Sequence, residues 1–255
     1  MEETSMAYYR IIFSPTGGTR KTADILADAI SETWNDMDLL NPIPEISLTA
    51  DDVCLIAVPS FGGRIPTTSA ERLGKIRANG ARAVLVCVYG NRAYEDTLSE
   101  LQDVLGSCGF RCAAAVAAVA EHSIIREFGA GRPDSDDCAE LTAFGEKIRE
   151  RLADPADQPL TVPGAHGTYK PFQNTPFVPA ETDGCVNCGT CAEACPTEAI
   201  GETPDQIDPG RCIKCMRCES VCPTGARKLD ETLRSMLRER LAAVCGTRKA
   251  NELFL

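Results

Sequence analysis

YYRIIFSPTGGTRKTADIL, residues 8–26, decides how the first half of this chain folds. An apolar run of strand character gives way to a tight turn holding Pro15, Gly17 and Gly18, and a helical stretch follows at once. A strand, a glycine turn and a helix in that order aim unpaired backbone N–H groups and the positive end of a helix dipole at one point, where an anion can sit. Ser14, Thr16 and Thr19 add hydroxyl donors around that point. The turn is not a nucleoside-triphosphate loop, which requires glycine directly before its lysine, whereas here Arg20 precedes Lys21. Nor is it a dinucleotide fingerprint. The G-x-G in GAGRPD, residues 129–134, lacks the third glycine and does not directly join a strand to a helix.

The alternation begun at residue 8 continues to about residue 152. Apolar runs at 53–58 (VCLIAV), 83–89 (AVLVCVY) and 110–120 (FRCAAAVAAVA) are interleaved with amphipathic stretches at 18–32, 66–78, 95–107 and 136–152. Such repetition predicts a parallel sheet with helices on both faces, an α/β domain over residues 1–152. A short second strand is expected between residues 38 and 49, although Pro42 and Pro44 weaken its strand character. Composition then shifts: residues 153–184 hold six prolines and no periodicity, so 153–180 is read as a linker wrapping between domains. A cysteine-rich segment occupies 181–227. Residues 228–255 form a closing helix and tail, with Leu229, Leu233, Met236, Leu237 and Leu241 on one helical face.

Bulk properties narrow the function. A chain of 255 residues, 44% of them apolar, can bury an ordinary core, and a net charge of -11 with a pI near 4.8 excludes a nucleic-acid binder, which needs a basic face. Acidic balance suits redox partner proteins met through charged surfaces. The N-terminus lacks a basic and apolar export signal, and the longest strongly apolar stretch, CAAAVAAVA at 112–120, is too short for a membrane span, so a cytoplasmic protein is expected. Fourteen cysteines without an export signal point to metal or redox chemistry rather than disulfides.

Eight of those cysteines stand in two copies of C-x2-C-x2-C-x3-C-P: CVNCGTCAEACP at 185–196 and CIKCMRCESVCP at 212–223, with 16 residues between the last cysteine of one and the first of the other. A structural zinc site pairs two separated CxxC knuckles and accounts poorly for three cysteines within seven residues. The spacing resembles that of bacterial two-cluster ferredoxins, in which three thiolates of one run and the fourth of the other hold each 4Fe-4S cluster. That resemblance implies two 4Fe-4S clusters, one held by Cys185, Cys188, Cys191 and Cys222 and the other by Cys212, Cys215, Cys218 and Cys195. Arg211, Lys214 and Arg217 surround the second run, whereas Glu181, Asp183 and Glu193 flank the first, so the second cluster is expected to have the higher potential. The remaining cysteines, 54, 87, 108, 112, 138 and 245, mostly lie on apolar elements and read as core filling.

SPTGGT after the first strand resembles the phosphate loop of the flavodoxin family, which binds FMN. The resemblance implies a five-stranded parallel sheet of order 2-1-3-4-5, with the ligand beyond the carboxyl ends of the central strands. It also implies contacts to FMN from Ser14, Thr16, Gly17, Gly18 and Thr19, from Ser60, Phe61, Gly62 and Gly63, and from Tyr89, Gly90, Asn91 and Tyr94. Phe61 or Tyr94 would flank the flavin ring, and the Gly62–Gly63 pair could turn a carbonyl towards flavin N5 without Cβ strain. The chain departs from conventional flavodoxins in lacking tryptophan or the usual acidic, tyrosine-rich loop near the flavin.

Taken whole, the chain resembles the fused flavodoxin-ferredoxin family of anaerobes, which implies an electron carrier relaying single electrons between clusters and flavin. An FMN-dependent reductase fed by the clusters, and a ferredoxin with an empty flavodoxin-like docking domain, are the rival readings. His122 and Ser123 open the loop after the last strand; a lone histidine there is more often a satisfied structural residue than a catalytic one. Arg132 either contacts a partner or pairs with Asp134.

Overall fold

In the computed structural model, which describes residues 6–154, 158–172 and 175–255, the apolar runs form the middle of one sheet. Strands β1 (Tyr8–Ile12), β2 (Asn35–Asp38), β3 (Val53–Pro59), β4 (Arg82–Tyr89) and β5 (Arg111–Val119) are parallel, and β6 (Glu252–Phe254) adds an antiparallel edge. The order across the sheet is β6-β5-β4-β3-β1-β2, so the expected 2-1-3-4-5 arrangement is present and extended by one strand.

Alternating side chains of the central strands supply both faces. Val53, Leu55 and Ala57 point to a layer with Leu26 and Ile30 of α1 (Gly18–Ile30) and Leu141 and Ile148 of α4 (Ser135–Ala153). Cys54, Ile56 and Val58 point the other way, against Leu73 of α2 (Thr67–Leu73) and Leu98, Leu101 and Leu105 of α3 (Thr97–Ser107). Asp134 starts α4 with a capping box, accepting from the N–H groups of Asp136 and Asp137.

Three expectations need correction. The second strand lies at Asn35–Asp38, just before the expected interval, because an edge strand pairs on one side only and needs no apolar run; Ile46–Ser47 instead pairs with Ile76–Arg77 in a separate two-stranded ribbon, which also shortens the helix expected over 66–78. The proline-rich stretch is a packed strap: Leu160 and Val162 are buried in the main core, Gln102 Nε2 donates to Leu160 O at 3.0 Å, and Asp103 accepts from Gly167 N at 2.9 Å. Residues 155–157 and 173–174 of that expected linker lie outside the described residues. The closing helix, α7 (Glu231–Cys245), follows two single-turn helices, α5 (Thr190–Glu193) and α6 (Arg217–Ser220), in the cysteine segment. Its buried residues are Leu237, Leu241 and Cys245, which pack on Ile125 of the loop after β5, while Met236 is exposed.

Among the described residues, no helix is long and apolar enough to cross a membrane.

Candidate functional site

The chain reverses direction across the sheet between β1 and β3, and the loops leaving the carboxyl ends of β1, β3, β4 and β5 diverge there, as the topology requires of an open α/β sheet. They surround an open cleft at the carboxyl ends of the central strands. Of the residues expected at FMN, Thr16, Gly18, Thr19, Ser60, Phe61, Gly62, Tyr89 and Gly90 line it.

The phosphate end is built by backbone. Gly17 caps α1 with φ of 93°, a left-handed conformation that glycine adopts without Cβ strain, and this turns the chain sharply into the helix. The first-turn N–H groups of Gly18 and Thr19 have no acceptor among the described residues, whereas the N–H of Arg20 is satisfied by Ser14 Oγ at 2.9 Å. Nearby cations are engaged elsewhere: Arg20 Nη1 binds Asp36 at 2.7 Å and Lys21 Nζ binds the Pro133 carbonyl at 2.6 Å. An anion here therefore meets amide and hydroxyl donors at a helix N-terminus, a donor set that fits a phosphate ester.

Five of the expected contacts do not line the cleft: Ser14, Gly17, Gly63, Asn91 and Tyr94. Ser14 supports the loop from behind, and Gly63 O accepts from Asp96 N at 3.1 Å. Asn91 is buried and holds the C-terminal tail, donating to Cys245 O at 2.7 Å and Thr247 O at 2.9 Å and accepting from Lys249 N at 3.1 Å. Tyr94 packs against Tyr89 with the rings tilted by 58° and their centroids 5.3 Å apart, and the Tyr89 hydroxyl itself donates to Ala250 O at 3.2 Å. Of the two aromatic residues expected to flank a flavin ring, Phe61 lines the cleft and Tyr94 does not. The loop after β4 spends its polar groups on the tail, which no local sequence pattern reveals.

His122 lines the cleft, with Nδ1 accepting from the N–H groups of Ile124 and Ile125, both at 3.1 Å. Burial, with Arg92 adding to it, pushes its pKa down to about 4, so the imidazole is neutral and carries its proton on Nε2. Gly90 is pressed against this residue: a Cβ there would lie 2.8 Å from His122 Cα. Arg132 pairs with Asp137, not Asp134; its Nε donates to Asp137 Oδ2 at 2.8 Å, while Asp134 binds Arg248 at 2.6 Å. The buried guanidinium is structural, joining α4 to the tail through Lys249 O at 2.7 Å.

The eight clustered cysteines fall around two further cavities. One, of about 370 Å³, is lined by Cys195, Cys212, Cys215 and Cys218; the other, of about 340 Å³, by Cys185, Cys188, Cys191 and Cys222. Each cavity takes three thiols from one run and the fourth from the other, and a proline, Pro196 or Pro223, follows each fourth cysteine. The four thiols around each cavity are the donor set that a 4Fe-4S cluster takes. Of the other six cysteines, Cys54, Cys87 and Cys245 are buried and Cys108, Cys112 and Cys138 half-buried; burial alone pushes the Cys112 thiol up to about 12.

The cysteine segment is docked on the sheet domain. Arg217 Nη1 donates to Pro15 O in the phosphate turn at 3.2 Å, Arg72 Nη2 donates to Pro196 O at 2.6 Å, and Ile213 packs against the main core. Cys215 lines both its thiol cavity and the cleft, so the two sites share a wall. No local sequence pattern marks Arg227, which lines both thiol cavities.

A sheet of flavodoxin-like strand order is thus joined to a ferredoxin-type cysteine segment whose eight thiols form two cages. In comparisons with known proteins, residues 184–226 match the 4Fe-4S dicluster domain family. A stretch of 22 residues is 64% identical to a ferredoxin of Clostridium sp. (strain M-E); it covers 9% of this chain and 40% of that protein, so the chain matches less than half the length of this curated relative. Among solved structures, the flavodoxin of Streptococcus pneumonia TIGR4 is 21% identical over 58% of this chain and 98% of its own, with a TM-score of 0.39. Oxidised flavodoxin 1 from Bacillus cereus is 16% identical over 56% and 97%, with a TM-score of 0.41.

Proposed function

We propose that this chain is an electron carrier that relays single electrons between two 4Fe-4S clusters and an FMN, and from there to redox partner proteins. Cys185, Cys188, Cys191 and Cys222 hold the outer cluster, and Cys195, Cys212, Cys215 and Cys218 the inner one. Thr16, Thr19 and the amides of Gly18 and Thr19 bind the FMN phosphate, and Phe61, Gly62, Tyr89 and Gly90 border the ring. When bound, the clusters supply one-electron steps and the flavin couples them to two-electron chemistry.

The observation that carries this reading is Cys215, a residue lining both the inner cage and the cleft. A shared wall gives electrons a short route without a domain motion. Arg217 and Arg72 hold that wall in place by binding main-chain carbonyls across the junction. On the outer cage Cys188 and its neighbour Val186 are exposed, which favours that loop as the face met by a partner.

Anaerobically purified protein should contain about eight irons and one FMN per chain. Flash photoreduction of the clusters should then be followed by flavin reduction at a rate independent of protein concentration. Zinc in place of iron would overturn the reading, and a rate proportional to protein concentration would overturn the internal relay. Full iron without flavin would favour an empty docking domain instead.

A further inference from the structure

Among the described residues, Arg227 is the one arginine that lines both thiol cavities, and its side chain is only 2% exposed. Its backbone is fixed by the ribbon in which Arg227 lies opposite Glu181. Nη1 donates to Pro204 O at 2.6 Å and stands 3.4 Å from Glu181 Oε2, while Nε is buried with no partner among the described residues. A buried N–H of a charged group without an acceptor is costly, and one partly exposed carboxylate at 3.4 Å is an incomplete counter-charge. Arginine cannot shed the charge by losing its proton. Beyond the neighbouring Cys218 thiol, what remains to compensate it is the negative charge of whatever fills the two cages it faces.

Resting on the two-cluster ligand sets proposed above, we infer that Arg227 is a shared electrostatic tuning residue, which presents Nε–H to cluster sulfur and raises the reduction potential of both clusters together. Each cluster held by four thiolates is anionic, and taking up one electron adds one more negative charge. A fixed cation between the cages therefore favours the reduced state of both. Charge close to a cluster and hydrogen bonds to its sulfur are the protein's principal means of setting such potentials. Arg217 provides an internal contrast: its Nε is also buried and unpartnered, but it lines only the inner cavity.

The test is an EPR-monitored redox titration of full-length protein, reconstituted anaerobically with iron and sulfide, for the wild type and for R227Q, R217Q and E181Q. Iron and sulfide content is measured first; about eight irons per chain upholds the two-cluster reading independently of any potential. In R227Q the reduction constant of both clusters should fall about tenfold, a downward shift of about 59 mV for a one-electron couple. R217Q should move the inner cluster alone. E181Q removes the carboxylate that partly neutralises Arg227 and should move both clusters upward, and it decides the matter should R227Q fail to load. A loaded R227Q in which only one midpoint moves, or neither, overturns the inference, as does an E181Q protein whose two midpoints are unchanged.

Discussion

Replacing Asn91 by glycine should release the C-terminal tail from the sheet. Asn91 sits at φ of 60°, where glycine is unstrained, so Asn91→Gly removes the side-chain bonds without adding backbone conflict. Three hydrogen bonds are lost, to Cys245 O, Thr247 O and Lys249 N. At about 1 kcal/mol net for each, the tail should open about 3 kcal/mol more easily, a little over a hundredfold in the opening equilibrium. Hydrogen–deuterium exchange on the anaerobic full-length protein reads this directly, because local opening sets the exchange rate of protected amides. Amides of β6 should exchange about a hundredfold faster, with those of β3 and β4 unaffected. Acceleration below about tenfold would refute the assignment of Asn91 as the latch. Asn91→Asp should be worse, since its carboxylate keeps the acceptor for Lys249 N but faces the carbonyls of Cys245 and Thr247.

Other substitutions probe the cleft, the helix layer and the cages. Gly90→Ala places a Cβ 2.8 Å from His122 Cα, so the two cleft loops must part; the flavin-to-iron ratio should drop while iron per chain is retained, and an unchanged ratio would remove Gly90 from the site. In Gly145→Ala the new Cβ would lie 2.5 Å from Ala29 Cβ and 2.9 Å from Leu26 O, forcing α1 and α4 apart. Overpacking of about 2–3 kcal/mol outweighs the helix propensity of about 1 kcal/mol that alanine brings, so thermal melts should shift down. Because folding lowers the His122 pKa from 6.5 to about 4, the unfolded chain takes up a proton first as pH falls, and stability present above pH 6.5 is progressively lost towards pH 4. Between pH 7.5 and 5.5 this amounts to about 1.4 kcal/mol, a loss that His122→Asn should lack; parallel pH profiles would count against a neutral buried imidazole. In single-cluster variants the inner cluster, with Arg217 beside it, should have the higher potential, and a titration in the reverse order would contradict this.

What the sequence discloses, and what it hides, follows from how far each feature reaches along the chain. β3 and β4 are buried on both faces, so VCLIAV and AVLVCVY are legible as apolar runs. β2 reads NDMD, because a strand paired on one edge and largely exposed needs no such run. The cages are legible because the cluster fixes thiol spacing over seven residues, and the crossed fourth cysteine is carried by the same repeat. Asn91 reads as a cleft residue because its loop leaves the right end of β4, but its side chain, like the hydroxyl of the cleft-lining Tyr89, is claimed by residues 245–250, more than 150 positions away. Arg227 follows the last cysteine without any motif, and only the folding of both runs around it shows what it faces. Local chemistry is written locally, whereas the docking of one segment on another is not.

Because β6 zips onto β5 only after the cysteine runs and α7 have been made, the iron–sulfur segment is an insertion between two neighbouring strands of one sheet rather than a bead on a tether. On a ribosome, both cages emerge before the edge that clamps them, so metal loading can precede closure and the zip can act as a final seal. A protein cut within residues 246–251 would keep every thiol and every cleft residue, with Arg217 and Arg72 still bridging the inner cage to the sheet domain, but α7 would no longer be fastened to β5 through the edge strand.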